Sequence, residues 1–320
     1  MSRPADNILG TLPVPKLVWT MSSPIMLSML MSAIYNLVDS IYVAQVSELD
    51  FLALSYAYPV QLMMVAFCAG TGVGFNALFA QRLGAGQKEE ANRVACHGFL
   101  FYGLCWLLFL AFALLGTPLF FRLSTGDGAV AAAGTSYLVI CCGLSIGMCM
   151  QFLTERLLQT TGHPAGFMVV QGSGAILNIV LDPVFIFGLD MGVVGAAIAT
   201  VIGQVAAGGL CLVYLRRLQS VRIRRAWLRP TAALTGRIFK LGIPSFLTQI
   251  MTAAVQVTMN NLMTRYGAQT AYGGDVALSV YGMVMKVYQI AHAMFVGVSS
   301  ATQPINGYNF GAKRYDRVRA

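Results

Sequence analysis

Charge is scarce in this sequence. Of 320 residues 10% are charged, 12 acidic and 21 basic, whereas 57% are hydrophobic, and the mean hydropathy is +0.68. A soluble domain of this length needs far more surface charge, which excludes a soluble fold. Histidine is scarcer still: His97, His163 and His292, dispersed along the chain. A membrane-embedded protease or transferase needs a His/Glu metal pair or a nucleophile–base set, and that scatter argues against one. No Cys-x-x-Cys pair sits near a histidine. The seven cysteines lie in or beside apolar stretches and read as small packing residues. The short alternating segments of a β-barrel are missing too. The opening, Met1 to Pro15, is polar and proline-rich and reads as no removable signal peptide.

What the chain has is long apolar runs. Windows at 17–47, 51–81, 94–121, 129–153, 165–188, 191–215, 238–264 and 276–305 carry almost no charge. Each exceeds the ~20 residues that a helix needs to cross ~30 Å of hydrocarbon. The expected fold is an all-α polytopic membrane bundle with about eight spans. With a cytoplasmic N-terminus, every one of the 21 basic residues except Arg122, Arg265 and Lys286 falls on the inner side. The positive-inside rule thus predicts an N-in, multi-pass inner-membrane protein. The +9 charge needs only the lipid bilayer as partner and no nucleic acid.

The chain repeats itself. Pro24 to Leu27 recurs as Pro244 to Leu247, Ala53 to Ser55 as Ala277 to Ser279, and Gly72-Val73 as Gly297-Val298. Gly86 to Lys88 is paired with Gly311 to Lys313. Six helices per copy is an even number, so the copies share one orientation, a parallel repeat. The expected organisation is a six-helix N-terminal lobe (1–215), a basic cytoplasmic linker (216–237) and the start of a C-terminal lobe (238–320). The second repeat is incomplete, holding two helices, and the chain reads as truncated after about eight of twelve.

A charge at a helix centre costs about 2.5–3.5 kcal/mol in hydrocarbon, so intramembrane charges carry the information. Of the 12 acidic residues only Asp39 and Asp182 fall inside windows. Both lie roughly 10 Å below the outer surface by the helical rise. Tyr35, Asn36, Asn178, Tyr137 and Thr200 cluster at that level. Two carboxylates with amide oxygens and hydroxyls suit a proton or a hard cation such as Na+. Lys286, with Tyr281, Met283 and Gln289, is a candidate substrate contact, and Pro24 and Pro183 are hinge candidates. Gly70, Gly72 and Gly74 have a superficial likeness to a dinucleotide loop, but they sit in an apolar helix that no strand precedes. They read as close helix packing.

Several marks together resemble the multidrug and toxic compound extrusion (MATE) family of antiporters. They are Asn36 to Asp39, Gly84-Ala85-Gly86, the Arg156, Leu158, Gln159 and Gly162 set, Asn178-x-x-x-Asp182-Pro183, and Gly307 to Ala312. The resemblance runs from about residue 17 to the end. It implies two six-helix lobes in a V around a cavity that faces each side in turn. It also implies an ion site at Asp39, Asn178, Asp182 and Thr200, with Tyr35 and Tyr137 nearby. The expected function is H+- or Na+-coupled export of amphipathic, often cationic, compounds, with no cofactor beyond the coupling ion. A complete protein of this kind is expected to be a monomer in a bacterial inner membrane. A lipid-linked oligosaccharide flippase is the nearest alternative and an embedded enzyme a more distant one.

Overall fold

The computed structural model describes residues 7–45, 47–217, 227, 231–270 and 273–320, and no strand occurs among them. A four-residue helix, α1 (Ile8–Thr11), precedes two long ones, α2 (Val14–Ala44) and α3 (Glu48–Gly84). The third span is continuous from Lys88 to Ser124: α4 (Lys88–Ala111) passes through a π turn at Phe112–Gly116 into α5 (Thr117–Ser124). Pro118 explains the turn, since it offers no N–H to the preceding carbonyls and the helix must widen there.

The fourth window is not one helix. α6 (Gly128–Gly143) and α7 (Ile146–Thr160) meet at a 43° bend. Trp106 Nε1 donates to the Gly143 carbonyl at 3.0 Å, taking up an acceptor freed by the break. The fifth, α8 (Pro164–Pro183), runs into a second π turn at Val184–Gly188, directly after its terminal proline. Then come α9 (Gly192–Arg217), α10 (Ala232–Gly267), α11 (Gly274–Gly311) and α12 (Tyr315–Arg319). Among the described residues six helices or helical runs are long and apolar enough to cross a membrane, and the bent α6–α7 pair makes a seventh. α11 occupies the eighth window. The all-α membrane fold is as expected.

Three expectations need correction. α10 takes in the last residues of the segment read as linker, because the Thr231 N–H donates to His97 Nε2 at 3.0 Å and the helix begins at once. The sequence suggests a polar helix end for Glu155 and Arg156, yet both are buried in α7, where α3, α4, α8 and α9 surround them. The end of the repeat also shifts by two residues. α3 ends at Gly84 with positive φ at Gly86, and α11 ends at Gly311 with positive φ at Lys313. Gly84-Ala85 therefore pairs with Gly311-Ala312. The prolines pair as the sequence predicts: Ser28 Oγ donates to the Pro24 carbonyl at 2.7 Å, and Thr248 Oγ1 to the Pro244 carbonyl at 2.8 Å.

α3 to α7 and α9, joined by Ile238 of α10, enclose one core in which Phe75, Phe79, Tyr102, Leu138 and Leu153 are fully buried, and α2 and α8 pack with α11 in a second one around Leu17, Ile25, Phe167 and Ile305. α10 lies along α3, and α11 along α2 and α3. Glycines set these approaches: a Cβ on Gly70 would fall 2.7 Å from Phe246 Cβ, and one on Gly242 would fall 2.7 Å from the Gly70 carbonyl oxygen. That is the role close packing assigns to them. At the end bearing the N-terminus α3 and α11 touch backbone to backbone, and Gln303 Nε2 donates to the Val73 carbonyl at 3.2 Å. This end is shut. At the other end the facing sides of α10 and α11 are open, with Met251 60% and Tyr288 52% exposed.

Candidate functional site

The candidate ion site sits where α8 is held between α2 and α9. Gly174 and Gly203 face each other across the α8–α9 crossing, and a Cβ on Gly203 would fall 2.8 Å from the Gly174 carbonyl oxygen. One turn outward from this near contact, Asn178 Nδ2 donates to Thr200 Oγ1 at 3.2 Å. The Asn178 Oδ1 is buried and accepts no hydrogen bond from the described residues. An amide whose N–H side is tied down presents its acceptor oxygen, and a buried acceptor calls for a partner. Asp182 lies four residues on, on the same face of α8, and is fully buried.

α2 comes to this place in a defined register. Gln171 Nε2 donates to Ser32 Oγ at 2.6 Å, and a Cβ on Gly172 would meet Met31 Cε at 3.0 Å. Further out, Tyr42 and Phe187 stack edge to face with ring centroids 6.1 Å apart. These contacts bracket Asp39, so its backbone lies alongside the stretch of α8 that carries Asn178 and Asp182. The side chains of Asp39, Asn36 and Lys286 lie outside the described residues. Tyr35, half-buried, is one turn inward of Asp39 on α2. Tyr137 is buried in α6, and its hydroxyl accepts from Gln61 Nε2 of α3 at 2.7 Å.

Sequence reasoning misses Gln61, although an amide inside the apolar window 51–81 is a signal of the same kind as Asn36. So is Asn76, part of a second buried polar group. The Thr160 hydroxyl donates to Asn76 Oδ1, and Arg156 Nη1 donates to Gln159 Oε1 at 3.1 Å. The Tyr102 hydroxyl donates to the Cys68 carbonyl at 2.8 Å beside them. These bonds join α3, α4 and α7 and hold that half of the bundle rigid.

The substrate candidates divide. A cavity of about 620 Å³ opens between α10 and α11, lined by Met251, Thr252 and Gln256 from one and Tyr281, Met285 and Tyr288 from the other. Tyr281 faces it. Met283, 63% exposed, lies on the opposite side of α11 from Tyr281, Met285 and Tyr288, and Gln289 is not among the residues that line the cavity. His292 stacks on Tyr288 at 5.3 Å. Of the hinge candidates, Pro24 lies inside α2, and Pro183 ends α8 where the π turn begins. No group of three or more His, Cys, Asp or Glu able to hold a metal occurs among the described residues.

Comparison with known proteins follows the same lines. The chain is 27% identical over 308 residues to the multidrug export protein MepA of Staphylococcus aureus (strain NCTC 8325 / PS 47), covering 94% of this chain and 66% of that protein. MepA of Staphylococcus saprophyticus subsp. saprophyticus is 26% identical over 294 residues, with 90% and 63% covered. The chain thus spans somewhat under two thirds of these relatives. Among solved structures, MATE in the straight conformation matches at 26% identity and a TM-score of 0.88, covering 99% of this chain and 70% of that one. MATE in complex with MaD3S matches at 25% and 0.89, covering 99% and 71%. The family model described as MatE matches residues 24–184 and again 244–320, so that its two matches open at the paired prolines Pro24 and Pro244. By that double match over most of its length, the chain belongs to the MatE family.

Proposed function

We propose that this chain acts in cation-coupled export of amphipathic organic compounds, with Asp39, Asn178, Asp182 and Thr200 binding the coupling ion. The observation that carries the ion site is Asn178. Its N–H side is spent on Thr200, its carbonyl oxygen is a buried acceptor, and fully buried Asp182 follows one turn later on the same face. Oxygen donors of this kind suit Na+ or a proton. Tyr35 and Tyr137 flank the ion, and Tyr281 contributes to the compound's cavity, whose methionines and tyrosines offer an adaptable, apolar and aromatic surface.

Export of several compounds is supported by the name of the staphylococcal relatives, multidrug export proteins. Coupling requires that ion and compound favour opposite arrangements, one closed at the basic end as here and one closed at the other. The proposed setting is a bacterial inner membrane, with the basic, closed end in the cytoplasm and the protein acting as a monomer.

Two measurements test the halves separately. Na+ binding to the purified 320-residue chain in lipid nanodiscs should saturate, weaken about tenfold in Thr200→Val, and vanish in Asp182→Asn. Unchanged binding in Asp182→Asn would sink the ion site. Ethidium efflux from energised vesicles tests export, and wild-type chain that binds the ion yet moves no ethidium would leave the ion site standing without the transport.

A further inference from the structure

α1 is only four residues long, too short to hold its shape unaided. Its order comes from contacts on both sides. Toward the first six spans, Asn7 caps it by accepting from the Leu9 N–H at 3.2 Å, and Asn7 Nδ2 donates to the Thr160 carbonyl at the end of α7, also at 3.2 Å. Gly162, with φ +81°, leaves room for this, since a Cβ there would fall 2.8 Å from Asn7 Oδ1.

Toward α11 and α12 the grip is polar and charged. Arg314 Nη1 donates to the Gly10 carbonyl at 2.7 Å, Arg317 Nη2 to the Leu12 carbonyl at 2.6 Å, and Asn309 Nδ2 to the Leu9 carbonyl at 3.0 Å. Arg317 Nε also donates to Asn309 Oδ1 at 3.0 Å, which aims both groups. Two guanidiniums thus meet the carbonyls at the negative end of α1, where charge-assisted bonds are favourable. The ion pairs among the described residues are Arg82–Glu90 and Arg93–Glu89, so neither guanidinium is drawn off to a described carboxylate. Beneath these bonds Leu9 is fully buried among Leu17 and Ile25 of α2, Phe167 of α8, and Ile305 and Tyr308 of α11.

We infer that α1 is a strap across the closed end, and that Arg314 and Arg317 are positioning residues that set how readily that end opens. The strap ties the end of α7 to α11 and α12 across the seam between the two repeats. Opening there requires α1 to part from one side, which exposes Leu9 and Tyr308 or releases the two arginines. Its place in a transport cycle rests on the alternating reading proposed above, but the strap itself does not.

The test is hydrogen exchange of the full 320-residue chain in nanodiscs, read at the seam (peptides covering Leu17–Ile25 and Ala301–Tyr308) and in the core around Phe75 and Leu153. Arg314→Ala with Arg317→Ala should speed exchange at the seam at least tenfold and leave the core unchanged. Arg317→Lys should restore part of the protection, because a point charge still meets a carbonyl but loses the fork. Asn7→Ala, on the other side of α1, should act in the same direction and does not touch the arginines. No change at the seam in either variant, or an equal rise in the core, overturns the strap. Protection of the cavity between α10 and α11 in the same data reports on alternation separately. If it stays unchanged while the seam opens, the alternating reading fails and the strap stands.

Discussion

Replacing Gly84 with alanine should destabilise this protein even though it improves a helix. On propensity alone, Gly→Ala inside a helix gains about 1 kcal/mol. At Gly84 the new Cβ would land on the backbone of α11: the Tyr308 carbonyl oxygen is in the way, and its carbonyl carbon would be 2.7 Å off, at least 0.7 Å short of ordinary contact at 3.4 Å. Backbone gives way less easily than a flexible side chain, so α3 and α11 must separate at the shut end, which would loosen the neighbouring contact of Gly307 with Ala80. Overpacking of this sort costs about 1–3 kcal/mol, which exceeds the propensity gain or cancels it. Gly103 in α4 and Gly282 in α11 are the controls, because nothing lies within 4 Å of a Cβ at either place. Thermal unfolding in one detergent, followed by tryptophan fluorescence, should rank Gly103→Ala and Gly282→Ala at or above wild type and Gly84→Ala below it. If Gly84→Ala proves as stable as Gly103→Ala, the tight seam between α3 and α11 is wrong, and with it the view that this end is closed by backbone contact.

Lys313 adopts φ +58° where the first repeat has Gly86 at φ +74°. The left-handed conformation costs a side-chain-bearing residue about 1–2 kcal/mol, so Lys313→Gly should stabilise the folded chain by up to about 1 kcal/mol after the entropy of glycine in the unfolded chain is counted, read as a raised unfolding temperature. His97 accepts from the Thr231 N–H at 3.0 Å while its Nδ1 lies 2.8 Å from the Arg93 carbonyl, which requires the neutral ring with its proton on Nδ1. His97→Ala leaves the Thr231 donor without that acceptor at a cost of about 1–3 kcal/mol, and exchange of amides 231–235 should accelerate while α9 is unaffected. Unchanged exchange there would mean that His97 does not anchor the start of α10.

The parts of the protein that were legible in the sequence are those encoded within a helix or two. Apolar length alone marks each span, because a membrane-crossing helix must satisfy its own backbone and show hydrocarbon to lipid wherever it lies. Pro118 and Pro183 stand at the two π turns, and Asn178 and Asp182 share a face by helical periodicity. The grouping of Asn178 with Thr200 was legible for a related reason: antiparallel neighbours joined by a short loop bring residues at equal depth together. Polar residues at window ends were the harder case. Arg156 and Glu155 look like an aqueous helix end in the sequence, yet α3, α4, α8 and α9 enclose them, and a linear string records nothing of that enclosure.

Contacts between the two repeats had no local signature. The approach of Gly70 to Phe246, of Gly84 to Tyr308 and of Arg317 to the Leu12 carbonyl joins residues far apart in the chain, the last pair separated by 305 positions. By itself the sequence marked the apolar spans, the paired prolines Pro24 and Pro244, and the meeting of Asn178 with Asp182 and Thr200, because hydropathy and helical periodicity are local physics. Only the tertiary structure decided which end is shut, which glycines must remain glycines and what α1 is for, because these depend on which helix surfaces meet across the seam.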